Sequence, residues 1–391
     1  KGKRMKKKIK NYLTKFSDLN GLVSIGFADS IGSGITAIFW FFIASQLSTS
    51  SYGEIHYYLG IAGLAQIISL IGNSNVVTVY AAKNVKIIST IFSISLIAGF
   101  ISSLVVIILL ARIDAALLIF GYIIMDLSTG VLLGRKLFKK YLIFILLQKI
   151  LTLVIGIGFY FIFGEQGIIF ALILSYLPYI IIVGKELKKE KIIFSQLKQK
   201  KDFIINNYLT NLSGSFSGQI DKIIIAPLLG FELLGNYALA LQFYVVLMVF
   251  SSIVFKYILP QDSSGIKNKN LKKATILISI LIAILSSIFL PIVIPHLFPQ
   301  YIETVEAIQI ISFCVIPGTI SMLYTSKFLA LEKSKYVLMS KILTIVIMII
   351  GFITLGPIFG IIGLAITLII STSADAFYLV LVNKFRERNN E

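Results

Sequence analysis

Long apolar segments separated by short polar ones make up almost the whole chain. A helix needs about 20 residues to cross the hydrocarbon core of a bilayer, and twelve segments reach that length. None alternates apolar and polar residues as a barrel strand does, and lipid does not tolerate an open sheet edge, so each is predicted to be a helix. The predicted spans are residues 22–46, 55–80, 87–111, 115–134, 141–163, 167–184, 206–229, 234–258, 274–297, 304–326, 336–355 and 360–383.

The composition agrees with this pattern and defines the class. The 391 residues are 57% hydrophobic and only 14% charged, against about 25% charged in an average soluble protein. The predicted fold class is therefore an all-α polytopic membrane protein. The single cysteine, Cys314, lies in an apolar run and is predicted to be a packing residue. The basic segment 1–20 is predicted to be a cytoplasmic tail, because no small-residue cleavage site follows it.

The basic residues predict the orientation. They concentrate in the alternate connections that begin with the amino-terminal segment and end with the carboxyl-terminal one; of the 36 Lys and Arg residues, only Arg112, Lys149, Lys222 and Lys341 lie elsewhere. By the positive-inside rule both termini are predicted to be cytoplasmic, with the protein in the cell membrane. The net charge of +18 then indicates attraction to anionic lipids at the cytoplasmic face, and nucleic-acid binding is not predicted.

The two halves of the chain repeat one another. Residues 42–58 align with 224–240, which pairs Gly53 with Gly235, and residues 140–159 align with 335–352, which pairs Lys149 with Lys341. We therefore predict two six-helix units inserted in the same orientation around a central cavity, related by a pseudo-two-fold axis along the membrane normal. Their predicted limits are 1–184 for the first bundle, 185–202 for a cytoplasmic linker and 203–391 for the second bundle.

One stretch carries a family resemblance. The run QIDKIIIAPLLGFELLGNYALALQ at residues 219–242 resembles the seventh-helix signature of polysaccharide and O-antigen type flippases, and residues 44–64 look like the first-to-second helix turn of the same family. Those flippases belong to the multidrug/oligosaccharidyl-lipid/polysaccharide (MOP) exporter superfamily, which includes the MATE drug exporters. The matching residues are Asp221, Lys222, Leu229, Gly230, Leu234, Gly235, Tyr237 and Ala240.

The resemblance implies both a fold and a function. The fold is MATE-like, and the function is to move a lipid-linked oligosaccharide or polysaccharide precursor from the cytoplasmic leaflet to the outer one. Rocking of the two bundles would give the cavity alternating access. The partners implied are the lipid-linked glycan itself and the enzymes that assemble it.

Seven ionisable residues lie inside the predicted spans. Each costs about 3 kcal/mol at the centre of a membrane helix, so they are expected to face a polar cavity or one another. Lys149, Lys222 and Lys341 are candidates to bind an anionic cargo. Candidates for ion coupling or for charge pairing with the lysines are Asp29, Asp126, Asp221 and Asp375.

Two interpretations of the lysines stay open. Lys149 and Lys341 occupy equivalent positions, so they could form a cationic clamp for a phosphate group, or each could extend to the cytoplasmic surface. Asp221 and Lys222 are adjacent and about 100° apart around a helix, so we expect their partners on other helices.

Other functions are less well supported by the sequence. A cation-coupled multidrug or small-molecule antiporter of the same fold is the main alternative, and it would use unpaired carboxylates and aromatic residues. An enzyme is not predicted, because the external loops are too short for a catalytic site. Neither a cofactor nor a metal is predicted, since there are only two histidines and GVLLGRK at 130–136 lacks the spacing of a phosphate-binding loop.

Overall fold

The computed structural model describes residues 26–216, 218–263, 268–331 and 333–388. Its regular elements are α-helices and two single 3₁₀ turns, at Leu177–Tyr179 and Pro299–Tyr301. The predicted tail at residues 1–20 lies outside these ranges. The helices are α1 Gly26–Gln46, α2 Thr49–Ser69, α3 Ser74–Ala82, α4 Ile88–Leu110, α5 Ile113–Gly134, α6 Phe138–Phe163, α7 Gln166–Ser175, α8 Ile180–Lys189, α9 Ser195–Phe216, α10 Ile220–Leu229, α11 Phe231–Ser263, α12 Lys269–Leu297, α13 Thr304–Phe313, α14 Val315–Ala330 and α15 Ser334–Arg388.

The all-helical membrane architecture is confirmed. Within the described ranges, nine helical segments are long and apolar enough to cross a membrane, if α7 with α8 and α13 with α14 are each counted as one. Helices α2 and α3, which are bent by 42°, together make a tenth. Helix α15 covers the two predicted spans 336–355 and 360–383, and its helical backbone is interrupted at Gly360, where φ is +56°. The prediction of one continuous helix over 206–229 is wrong, because α9 ends at Phe216 and α10 begins at Ile220.

Prolines explain two further breaks. The predicted span 167–184 is divided into α7 and α8, and the span 304–326 into α13 and α14. A proline has no amide proton, so Pro178 and Pro317 cannot donate to the carbonyl groups four residues earlier, at Leu174 and Phe313. Most of the predicted linker is also helical, with α8 continuing to Lys189 and α9 beginning at Ser195.

Helices α2 and α11 cross in direct backbone contact. A Cβ atom on Gly53 would lie 1.9 Å from the carbonyl oxygen of Phe231, and one on Gly235 would lie 1.8 Å from the carbonyl oxygen of Thr49. The sequence repeat pairs Gly53 with Gly235 and Thr49 with Phe231, so each half makes the same contact with the other. Such a reciprocal contact is what a two-fold axis through the crossing produces.

Further contacts join the halves at the end of the molecule where the short connections contain few lysines, which we call the lysine-poor end. Gln300, between α12 and α13, donates hydrogen bonds from Nε2 to the carbonyl oxygens of Ala44 (3.0 Å) and Leu47 (3.1 Å). These carbonyls lie at the end of α1, where helical partners are no longer available. The ring of Tyr301 is 5.8 Å from that of Tyr52. The halves are therefore closed together at this end.

The glycine crossing yields a stability prediction. We expect Gly53→Ala to lower the stability of the purified protein by about 1–3 kcal/mol, because its methyl group would overlap a backbone carbonyl that cannot move independently of α11. Thermal melting in detergent measures the effect. The matched control is Gly34→Ala on α1, where nothing lies within 4 Å of an added Cβ atom. Equal melting temperatures for the two variants would contradict the crossing.

Candidate functional site

A cavity of about 590 Å³ lies among helices α10, α11, α14 and α15. Almost all of its lining belongs to the second half of the chain, with His56 of α2 contributed by the first half. Tyr237, Tyr244 and three methionines give it an apolar, polarisable wall. Four of the seven predicted site residues line it, namely Asp221, Lys222, Lys341 and Asp375.

Lys341 and Asp375 form a close ion pair between the two arms of α15. The Nζ atom of Lys341 donates to Oδ2 of Asp375 at 2.7 Å, and the hydroxyl of Ser321 donates to the same oxygen at 2.5 Å. The other carboxylate oxygen, Oδ1, is buried without a hydrogen-bond partner among the described residues. Lys341 is therefore held by a neighbouring carboxylate.

Asp221 and Lys222 contact each other, so the expectation that their partners lie on other helices is wrong. The Nζ atom of Lys222 lies 3.5 Å from Oδ1 of Asp221 and donates to the carbonyl of Gly218 (3.0 Å) and to Oε1 of Gln219 (3.2 Å). The long side chain of Lys222 folds back over the first turn of α10 and so reaches Asp221, although the two Cα atoms are about 100° apart around the helix. Its stem packs against Gly60 of α2.

His56 is a lining residue to which the sequence assigned no role. It is 9% exposed, and its ring lies 4.7 Å from that of Trp40 and 4.5 Å from that of Tyr52. Its Nε2 atom has no hydrogen-bond partner within the described part of the chain. The repeat alignment pairs His56 with Ala238, which also lines the cavity but is not polar. The sequence feature that could have predicted a role for His56 is therefore its position three residues after Gly53.

Lys149 lies outside the cavity lining. It is on α6, and its side chain packs against α1, since a Cβ atom on Gly32 would be 3.4 Å from Cγ of Lys149. No hydrogen bond or ion pair to its ammonium group is formed by the residues that the structure describes. The structure thus places Lys149 and Lys341 in different surroundings, and it does not bring them together in one cavity.

The repeat explains why the two lysines differ. If the alignment of Ser175 with Ser371 is extended by four residues, Asp375 corresponds to Tyr179. The first half therefore has a buried phenol where the second half has the carboxylate that neutralises Lys341. Lys149 occupies the position that corresponds to Lys341, but the first half has no residue equivalent to Asp375 to pair with it.

The remaining two aspartates have structural partners. Oδ2 of Asp29 on α1 accepts from Nζ of Lys256 on α11 at 2.6 Å, and Oδ1 accepts from the hydroxyl of Tyr141 at 3.1 Å. Oδ2 of Asp126 accepts from the backbone amide of Ser74 at 2.7 Å. Asp126 therefore binds the first amide of α3, which is a favourable position for a carboxylate.

Comparison with solved structures identifies the architecture. An inward-facing multidrug resistance MATE family transporter of the MOP superfamily superposes with a TM-score of 0.70 at 16% identity, over 91% of this chain and 94% of that one. The chain has the MATE fold. An outward-facing MATE family transporter gives 0.64 at 18% identity, over 94% of this chain and 95% of that one.

A MOP superfamily transporter from Pyrococcus furiosus, described as having a binding pocket of reverse polarity that suggests a different function, gives a TM-score of 0.54 at 15% identity, over 94% of this chain and 95% of that one. No protein-family model and no curated protein matches the sequence. At these identities the comparisons establish the fold, and the cargo has to be inferred from the residues of this chain.

The Lys341 and Asp375 pair yields a second stability prediction. Lys341→Gln is expected to destabilise the protein by about 2 kcal/mol, because it leaves a buried carboxylate without its cation. Adding Asp375→Asn removes that charge and should recover part of the loss. Thermal melting of the wild type, both single variants and the double variant measures the coupling. Additive effects of the two substitutions would mean that the pair is not formed.

Proposed function

We propose that this protein is a membrane transporter that moves a lipid-linked oligosaccharide or polysaccharide precursor from the cytoplasmic leaflet to the outer leaflet by alternating access. The MATE fold supports transport, and the resemblance of residues 219–242 supports the cargo. The observation that carries the proposal is the ammonium group of Lys149, which lies within a membrane-spanning helix. In the described part of the chain it forms no ion pair within 4 Å, and Asp29 attracts it only from a longer distance.

The contacts between the halves support alternating access. At the lysine-poor end the halves meet through glycine backbone, aromatic rings and the amide of Gln300. None of these contacts is a covalent link or an ion pair. A contact surface of this kind can separate and reform, as a rocking motion of two rigid bundles requires.

An unpaired lysine favours an anionic cargo. A lysine at the centre of a membrane helix costs about 3 kcal/mol, and a phosphate or pyrophosphate group placed beside it would offset that cost. Carrier lipids of glycan synthesis have such a group at the junction of lipid and sugar. In this role the protein would lie in the cytoplasmic membrane with both termini on the cytoplasmic side, where anionic lipids contact its basic connections and glycan-assembling enzymes supply the cargo.

A cation-coupled drug antiporter is the second candidate, and one observation favours it. Oδ1 of Asp375 faces no partner in the described chain, and the cavity around it is lined by tyrosines and methionines. An organic cation could contact these groups. However, Asp375 is already paired with Lys341, and the Asp221 and Lys222 charges also balance, so the cavity lining has no excess negative charge.

Reconstituted transport separates the two candidates. We expect proteoliposomes containing the wild type to flip a fluorescent undecaprenyl pyrophosphate-linked oligosaccharide, and Lys149→Gln to reduce the rate by about tenfold or more because the anionic junction loses its cation. Lys149→Arg should retain most of the activity, and Lys86→Gln, in an exposed connection, is the matched control for removing a positive charge. Equal rates for Lys149→Gln and the wild type, or transport of organic cations in place of the lipid, would contradict the proposal.

A further inference from the structure

Asp29 lies at a second place where the two halves of the chain contact each other, away from the lysine-poor end. Its carboxylate accepts from Lys256 of α11 at 2.6 Å and from Tyr141 of α6 at 3.1 Å. Lys256 belongs to the second half, whereas Asp29 and Tyr141 belong to the first. The Asp29 and Lys256 pair is therefore an ion pair between halves, with side chains 27% and 38% exposed respectively.

The same carboxylate is close along α1 to the lysine that has no partner. Gly32, against which the stem of Lys149 packs, lies three residues after Asp29, and residues three apart share one face of a helix. The side chain of Lys149 leaves α6 in the direction of the helix amino terminus, which is the direction of Tyr141 and hence of Asp29. Asp29 thus lies between two lysines, one bonded to it and the other not.

We infer that Asp29 exchanges between Lys256 and Lys149, and that Lys256 thereby determines whether Lys149 can bind the anionic headgroup. This inference rests on the proposed function. While Lys256 holds Asp29, that carboxylate attracts Lys149 only from a longer distance, so Lys149 has no direct ion pair that a phosphate would have to displace. When α1 and α11 separate, Asp29 loses Lys256 and turns to Lys149, where it competes with the phosphate. Lys256 is then a positioning residue, since it acts through Asp29.

The exchange couples the arrangement of the halves to affinity. An anion bound at Lys149 excludes Asp29 from that lysine and so favours the arrangement in which Asp29 bonds Lys256. Separation of α1 from α11 has the opposite effect and weakens anion binding. Linkage requires the two effects to be equal in free energy. An anionic headgroup would thus be bound more tightly while Asp29 and Lys256 are bonded than after α1 and α11 have separated.

Binding of undecaprenyl phosphate to the full-length protein in nanodiscs tests the inference. We expect Lys256→Gln to weaken binding about tenfold, within the usual range of coupling between sites, because Asp29 then pairs with Lys149. Adding Asp29→Asn should restore affinity to within about twofold of the wild type. The control is Lys272→Gln, which removes a lysine that pairs with Asp262 at 2.7 Å inside the second half and should change affinity by less than about twofold.

Outcomes for the inference and for the proposed function are distinct. Normal affinity of the Lys256→Gln variant, an equal loss in Lys272→Gln, or failure of Asp29→Asn to restore binding would each overturn the exchange. Each variant is compared at a temperature at which its thermal melting curve shows it to be folded. If Lys149→Gln weakens binding while Lys256→Gln does not, only the exchange fails. If Lys149→Gln binds undecaprenyl phosphate like the wild type, the proposed function fails first.

Discussion

The structure depends on the close approach of α2 and α11, where each helix presents a glycine to a carbonyl oxygen of the other. Any side chain at Gly53 or Gly235 would lie within 2 Å of that oxygen, so the two halves can meet here only as bare backbone. Such contacts between small residues are typical of membrane helices, because hydrophobic burial provides no driving force between helices in lipid. The crossing fixes the axis about which the halves are arranged and closes the lysine-poor end.

The repeat is symmetric in backbone and asymmetric in charge. Both halves carry a lysine at the same place, but only Lys341 has its aspartate, and the first half has Tyr179 instead. Membrane charges are costly unless they are paired or solvated, so a duplicated lysine that has lost its counterion needs another partner. The carboxylate that forms a structural ion pair in the second half has no counterpart in the first, and the proposed function rests on this difference between the halves.

Most of the architecture followed from apolar length, because a helix that crosses lipid has little freedom in length or in backbone hydrogen bonding. The breaks within the helices could not be predicted from apolar length. Residues 206–229 are divided into α9 and α10 within a segment rich in small polar residues, and hydropathy alone predicts one continuous helix there. The contact of Gly53 with Gly235 was suggested by their alignment, since equivalent residues meet only on a symmetry axis.

The charged residues were found by their position within apolar spans, but their partners were not. Pairing depends on side-chain reach and on packing between distant helices, as the contact of Lys256 with Asp29 illustrates. Asp126 and Lys222 show the same limit on a smaller scale. One binds a backbone amide and the other folds back along its own helix, and neither arrangement has a signature in the sequence.

A distance measurement across the lysine-poor end tests most directly whether the closure at the glycine crossing is reversible. Spin labels can be placed on exposed residues of the two halves, at Glu165→Cys and Ile302→Cys, while Cys314 is buried and can be replaced by alanine. We expect double electron–electron resonance spectroscopy to show two populations of the distance between the spin labels, and the ratio of these populations to change when undecaprenyl phosphate is added. A single distance that does not change with the lipid would mean that the halves are permanently joined, and alternating access would be excluded.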